Sequence, residues 1–247
     1  MSTSLVDTSA SKFEVGCRVC GATPMVKSHI FPRALMIDLR GEDSYVHEVV
    51  DDQSGTRFLQ NGPWDRAILC EVHERITSKP DDYAVKFCRN VIKKIKQDGE
   101  DGLIDNPEPA LLARFVCQSI WRFAACNAGR GLSSLGPYEN QLREIVFSGA
   151  NCTIPFLVAR NHLLAPNGSE ATLALAPFPS RLGDVRIWLF GVSGLHFYVK
   201  LDQRPFPANG QEFMAHNSPS IRLFQLPPKM AHDVPILQKI LSNMGLR

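Results

Sequence analysis

An α+β fold is what this sequence predicts. Three observations carry it: two pairs of soft metal-ligand residues in an irregular first third, helical periodicity in the middle, and short β-rich segments punctuated by glycine, proline and serine beyond it. With 247 residues, 44% hydrophobic and 21% charged, the chain can fill one large or two modest domains.

Taken in order, residues 1–12 read as a flexible tail. Val15 to Cys20 reads as a short strand leading into a knuckle turn, and Met25 to Ile30 as a second strand. Asp81 to Gln97 reads as a helix, with Cys88, Val91, Ile92 and Ile95 on one apolar face and Lys86, Arg89, Lys93 and Lys96 on a basic stripe. That stripe reads first as a solvated helix face and second as a set of phosphate contacts.

Residues 98–109, DGEDGLIDNPEP, form a break rich in glycine, proline and acids, and divide a first domain, 13–97, from a second, 110–247. Leu112, Phe115, Val116, Ile120 and Phe123 predict a central packed helix over Ala110 to Asn127, in which Trp121 and Arg122 read as core packing with a buried charge partner. Tyr138 to Phe147 predicts another helix. Thr153 to Val158, Ala171 to Ala176, Val185 to Val192 and Leu195 to Leu201 predict a small antiparallel sheet, and Ser193-Gly194 a tight hairpin between the last two. A final helix is expected over Pro235 to Met244.

Net charge is +2, from 27 basic and 25 acidic side chains, so any nucleic-acid contact must come from a local patch. No secretory leader and no apolar stretch of roughly 20 residues is present, which leads to the expectation of a cytoplasmic protein without a membrane partner. Seven cysteines, an odd number, fit poorly with a complete disulfide framework there. Cys88, Cys117, Cys126 and Cys152 lie in apolar surroundings and read as small buried hydrophobes. His47 stands among Glu48, Asp51 and Asp52 in what reads as a solvated loop.

The remaining three cysteines have a pattern. Cys17-x-x-Cys20, followed by Gly21, and Cys70-x-x-His73 each place two soft ligands on one tight turn. Four filled positions define a structural Zn²⁺ site, since a catalytic zinc keeps one position open for water. Such an ion can supply folding free energy of order 10 kcal/mol.

Between the pairs lies Ser28-His29-Ile30-Phe31-Pro32, and before the second pair Asp65-Arg66-Ala67-Ile68-Leu69-Cys70. Over residues 13 to 80 this arrangement resembles the HNH endonuclease family, whose zinc knuckle flanks a ββα-metal unit. The resemblance implies that His29 is the general base, that Asp65 stands where the family has the asparagine orienting that base, and that Glu74 stands where it has a metal-binding His or Asn. Ser28 replaces the family's metal-binding aspartate. A site of this kind would use Mg²⁺ or Mn²⁺ to cut phosphodiesters, on DNA in preference to RNA, in mobile-element or phage-defence roles.

The residues leave other readings beside these. Asp65 also suits a turn cap and Glu74 a solvent-facing helix position. The reading placed first is a divalent-metal-dependent HNH-like nuclease; the alternative is a non-catalytic zinc-scaffolded module that binds a protein partner through its C-terminal domain. Near-neutral charge and the substituted ligand positions favour the second.

Overall fold

A computed structural model describes residues 16–41, 46–49, 56–98, 103–126, 134–160, 163–164, 173–206, 208–216, 218–225 and 229–230. The tail and the helix expected over Pro235 to Met244 lie outside them.

The first third is held by short pairings. β1 (Ser28–His29) precedes α1 (Arg33–Arg40), then come β2 (Val46–Val49), β3 (Thr56–Leu59) and β4 (Trp64–Asp65). β1 pairs antiparallel with β4, and β2 with β3, so His47 and Glu48 belong to a strand and not to the expected loop. The knuckle turn expected at Cys17 to Gly21 is present, the Cys17 N–H donating to the Ala22 carbonyl (2.9 Å) and the Gly21 N–H to the Cys17 carbonyl (2.7 Å); residues 16–17 before it are not strand, and Val15 lies outside the described residues.

α2 (Glu71–Asp98) is 28 residues long and starts ten residues before the expected helix. Pro80 sits inside this helix, where it withholds an N–H from the helical ladder. Side chains supply donors nearby: Thr77 and Ser78 hydroxyls donate to the Glu74 and Arg75 carbonyls (2.7 and 2.6 Å), and the Gln118 amide donates to the Thr77 carbonyl (3.2 Å). On the basic stripe, Arg89 is committed to both carboxylate oxygens of Asp38 on α1 (2.7 and 2.8 Å).

β5 (Leu103–Asp105) lies within the glycine- and proline-rich break, followed by α3 (Pro109–Ala125), α4 (Tyr138–Arg143) and a π-turn over Glu144–Ser148. Then come β6 (Phe156–Arg160), β7 (Leu163–Leu164), β8 (Leu175–Leu182), β9 (Val185–Val192), β10 (Leu195–Lys200), a 3₁₀ turn over Ala208–Phe213, β11 (Ser220–Arg222), β12 (Phe224–Gln225) and β13 (Lys229–Met230). The main sheet has the order β12-β6-β10-β9-β8, antiparallel except where β12 runs parallel to β6. β5 pairs with β11, and β7 with β13.

Ser193 and Gly194 both have positive φ (52° and 75°), the conformation a two-residue hairpin linking β9 to β10 requires. Pro177 and Pro179 fall within β8, and its edge position explains why prolines are tolerated there.

The core is built where α3 crosses the sheet. Phe190 stacks on Phe197 with ring centroids 4.7 Å apart, and Phe115 of α3 meets both edge-on. Phe31, which precedes α1 in the first third, reaches Phe190 at 5.8 Å. One buried apolar cluster thus takes members from both sides of residues 98–109. Cys88, Cys117, Cys126 and Cys152 are buried, as their surroundings predicted. Among the described residues no helix is long and apolar enough to cross a membrane.

Candidate metal centre

The knuckle that carries Cys17 and Cys20 depends on two glycines. A Cβ on Gly16 would lie 2.0 Å from the Gly21 carbonyl oxygen, and Gly21 has a φ of 74°. Backbone bonds then bring the second pair alongside: the Arg18 N–H donates to the Ile68 carbonyl, the Val26 N–H to the Leu69 carbonyl, and Met25 bridges to Cys70. The Glu74 N–H donates to the Cys70 carbonyl (2.9 Å), so Cys70 opens α2 and His73 lies on its first turn.

The four ligand atoms of Cys17, Cys20, Cys70 and His73 all lie within 4.8 Å of one another. His73 presents Nδ1, which lies 3.5 Å from the sulfurs of Cys17 and Cys20 and 3.3 Å from that of Cys70; Cys20 and Cys70 are 3.9 Å apart. Ligand bonds of about 2.3 Å to sulfur and about 2.0 Å to nitrogen place tetrahedral neighbours roughly 3.5–3.8 Å apart, so this Cys₃His set can hold one metal ion such as Zn²⁺. Burial works to raise the Cys17 thiol pKa, but the backbone N–H groups of Cys70, Val19 and Cys20 turned to its sulfur bring it below its ordinary value. The thiolate form, the one that ligates, is favoured there. The His73 ring is braced edge-on by Phe147 (5.4 Å). Among the described residues no other group of three or more His, Cys, Asp or Glu side chains converges in this way.

Of the residues carried over from the family resemblance, His29 and Asp65 lie on the β1–β4 pair and Glu74 on the first turn of α2, next to His73. Ser28 is opposite Asp65 and His29 opposite Trp64, so His29 and Asp65 occupy different faces of the β1–β4 pair. Asp65 accepts the Ala67 N–H (2.7 Å) and the Cys126 thiol proton (3.1 Å), the first bond being the turn-capping role its residue type suits. His29 has a buried Nε2 with no hydrogen-bond partner among the described residues. Burial first, and then the charges of Lys27, Arg122 and Arg33, lower its pKa to about 4, so the ring is neutral at pH 7.

Glu74 faces inward towards Ser28 and Arg122. Burial raises its pKa, while Arg122 and the nearby Ser28 hydroxyl act in the opposite direction. Arg122, 1% exposed, lies 2.9 Å from an Asp81 oxygen and 3.6 Å from one of Glu74, and also donates to the Thr77 hydroxyl. Gln118 donates to Asp81 as well. The buried polar centre beside His29 is thus organised by a guanidinium.

Sequence reasoning singled out Arg122 but missed Asp81, Thr77 and Gln118 as its partners. The available signal was a pair of polar side chains four residues apart, Gln118 and Arg122, on an otherwise apolar helix, matched by Glu74, Thr77 and Asp81 at helical spacing. No family model, curated protein or solved structure matches the chain.

Proposed function

We propose that this chain is a non-catalytic, zinc-scaffolded binding or assembly module, with Zn²⁺ held by Cys17, Cys20, Cys70 and His73. The observation that carries this reading is the position of Arg122 between Glu74 and Asp81. An HNH nuclease needs a divalent cation beside the residue at the Glu74 position, and here a buried guanidinium supplies the positive charge while Ser28 offers no carboxylate. A Mg²⁺ or Mn²⁺ ion bound by Glu74 would lie close to that guanidinium, a like charge in a buried site.

Val72 and Ile76, four residues apart on the first turns of α2, are 67% and 37% exposed and offer an apolar strip next to the zinc ligands for a protein partner. Affinity capture from the native host with wild type and a Val72→Asp/Ile76→Asp variant tests this, with zinc content as the control for folding. A partner held by wild type and lost by the zinc-loaded variant supports the module; identical capture by both removes this surface from it.

One observation favours the nuclease reading. His29 is neutral with an unbonded Nε2, and near it Lys27 lies 4.5 Å from the centre of the exposed Trp64 ring, with Arg66 5.7 Å from that ring. Zinc-loaded wild type and His29→Ala, incubated with plasmid DNA, single-stranded DNA and RNA under Mg²⁺, Mn²⁺ or chelator, separate the two. No cutting by either supports the binding module, whereas divalent-dependent cutting by wild type alone establishes His29 as the base of an active nuclease.

A further inference from the structure

The far end of the main sheet contains a charge arrangement that folding does not reward. Arg181 of β8 and Arg186 of β9 are directly opposed across the antiparallel pair, so their side chains leave the same face. Like charges placed this way repel. Arg181 donates to the Asp184 carbonyl oxygen (3.3 Å), and among the described residues neither guanidinium forms an ion pair with a carboxylate. The neighbouring Asp202 is engaged elsewhere: it accepts the Arg186 backbone N–H (2.7 Å) and the Arg204 guanidinium (3.0 Å).

Both arginines line a cavity of 450 Å³ between this end of the sheet and the segment leading into α4. Its other walls include Tyr138, Pro179 and Trp188. Trp188 is two residues from Arg186 on β9 and opposite Pro179 on β8, so the ring surface and the two charges lie on one face. The volume falls within the range of about 300–1,000 Å³ usual for small-molecule sites, near the smaller end. A single carboxylate satisfies one guanidinium fork with its two oxygens. A phosphate, with three terminal oxygens and up to two negative charges, can bridge both.

We propose that this cavity binds a small organic phosphate with a planar ring, its phosphate bridging Arg181 and Arg186 and its ring lying against Tyr138, Pro179 and Trp188. The site lies apart from the zinc quartet and the Arg122 centre and does not depend on the reading given to them. A nucleoside monophosphate is the simplest member of this class, either free or as the 5′ end of a strand.

The test is calorimetric titration of the zinc-loaded full chain with adenosine monophosphate, uridine monophosphate, adenosine, inorganic phosphate, and an oligonucleotide with and without a 5′-phosphate. A monophosphate should bind at least about tenfold more tightly than adenosine or inorganic phosphate, and Arg181→Gln and Arg186→Gln should each lose about tenfold or more with unchanged circular dichroism. Arg186→Lys, which keeps charge but not the fork, should recover only part of the loss. Preference for the 5′-phosphorylated oligonucleotide over both its unphosphorylated twin and the free monophosphates assigns the site to a strand end; the reverse order assigns it to the free nucleotide. No binding of any phosphate probe, or equal affinity in the folded glutamine variants, overturns the proposal. Inorganic phosphate binding as tightly as the monophosphates overturns its ring subsite.

Discussion

Arg122 and Asp81 meet at 2.9 Å between α3 and α2, with the arginine side chain 1% exposed. A charge in that position is tolerable only while it is paired. Asp81→Ala leaves the guanidinium with the half-buried Glu74 and is expected to cost about 3–5 kcal/mol of stability, the range for breaking a buried pair from one side. Replacing Arg122 by Met removes the cation and leaves two carboxylates that can take up protons, so its effect should be smaller at pH 5 than at pH 7. Urea denaturation of both variants at the two pH values checks this. An Asp81→Ala cost under about 1 kcal/mol would show that water reaches the pair and that it does not organise the core.

Removing the ion from the Cys₃His site is expected to be a folding event. Cys17 and Cys70 belong to the same buried cluster as Ile30, Leu69 and Phe31, so the ligand turns and the apolar packing of the first third form together. Cys70→Ser or a strong chelator should take metal content from about one ion per chain to none, as for a single four-ligand site, and remove stabilisation of up to order 10 kcal/mol. Zinc release measured with a chromogenic chelator, followed alongside near-ultraviolet dichroism, should show the two signals lost together. Full loss of zinc with unchanged dichroism would contradict a structural role.

His29 gives a pH signature with a definite sign. Its folded pKa of about 4 lies below its ordinary 6.5, so between these values the unfolded chain binds more protons than the folded one. The stability this histidine contributes is therefore complete above about pH 6.5 and falls as pH drops towards 4. His196 is also lowered to about 4, but by burial alone, whereas Lys27 contributes to the shift of His29. Proton NMR titration of the imidazoles separates them: Lys27→Gln should raise the His29 midpoint and leave that of His196 unmoved. A His29 midpoint near 6.5 in wild type would mean that the ring is solvated and not held neutral.

The parts of the fold legible in sequence are those set by neighbours along the chain. Cys17-x-x-Cys20 and Cys70-x-x-His73 are local turns, and Ser193-Gly194 fixes a hairpin through its own backbone preferences. The start of α2 is hidden in sequence because Pro80 is a stop signal by local rules, whereas the contacts of Thr77 and Asp81, on either side of it, with Gln118 and Arg122 of α3 are tertiary. β8 was placed too early for a related reason, since Pro177 and Pro179 are tolerated only at a sheet edge, and edge position belongs to topology. The Arg122–Asp81 pair and the opposition of Arg181 and Arg186 are consequences of tertiary packing and register. A resemblance confined to residues 13–80 could not reach them.

Phe190 offers a test of whether residues 13–97 and 110–247 act as two folding units. It stacks on Phe197, touches Phe115 edge-on and meets Phe31 at 5.8 Å, so it joins the sheet, the central helix and the third that carries the Cys₃His cluster. Phe190→Ala deletes a fully buried ring and should cost about 3–5 kcal/mol. If the apolar cluster folds as a unit, urea should release zinc and melt the far-ultraviolet signal at one midpoint, and the variant should move both midpoints equally. Zinc retained after the sheet has melted, with only the sheet midpoint moved by Phe190→Ala, would instead make the ligand-bearing third a separate domain. The Phe31 contact would then be a docking contact between domains, contributing little to the stability of either.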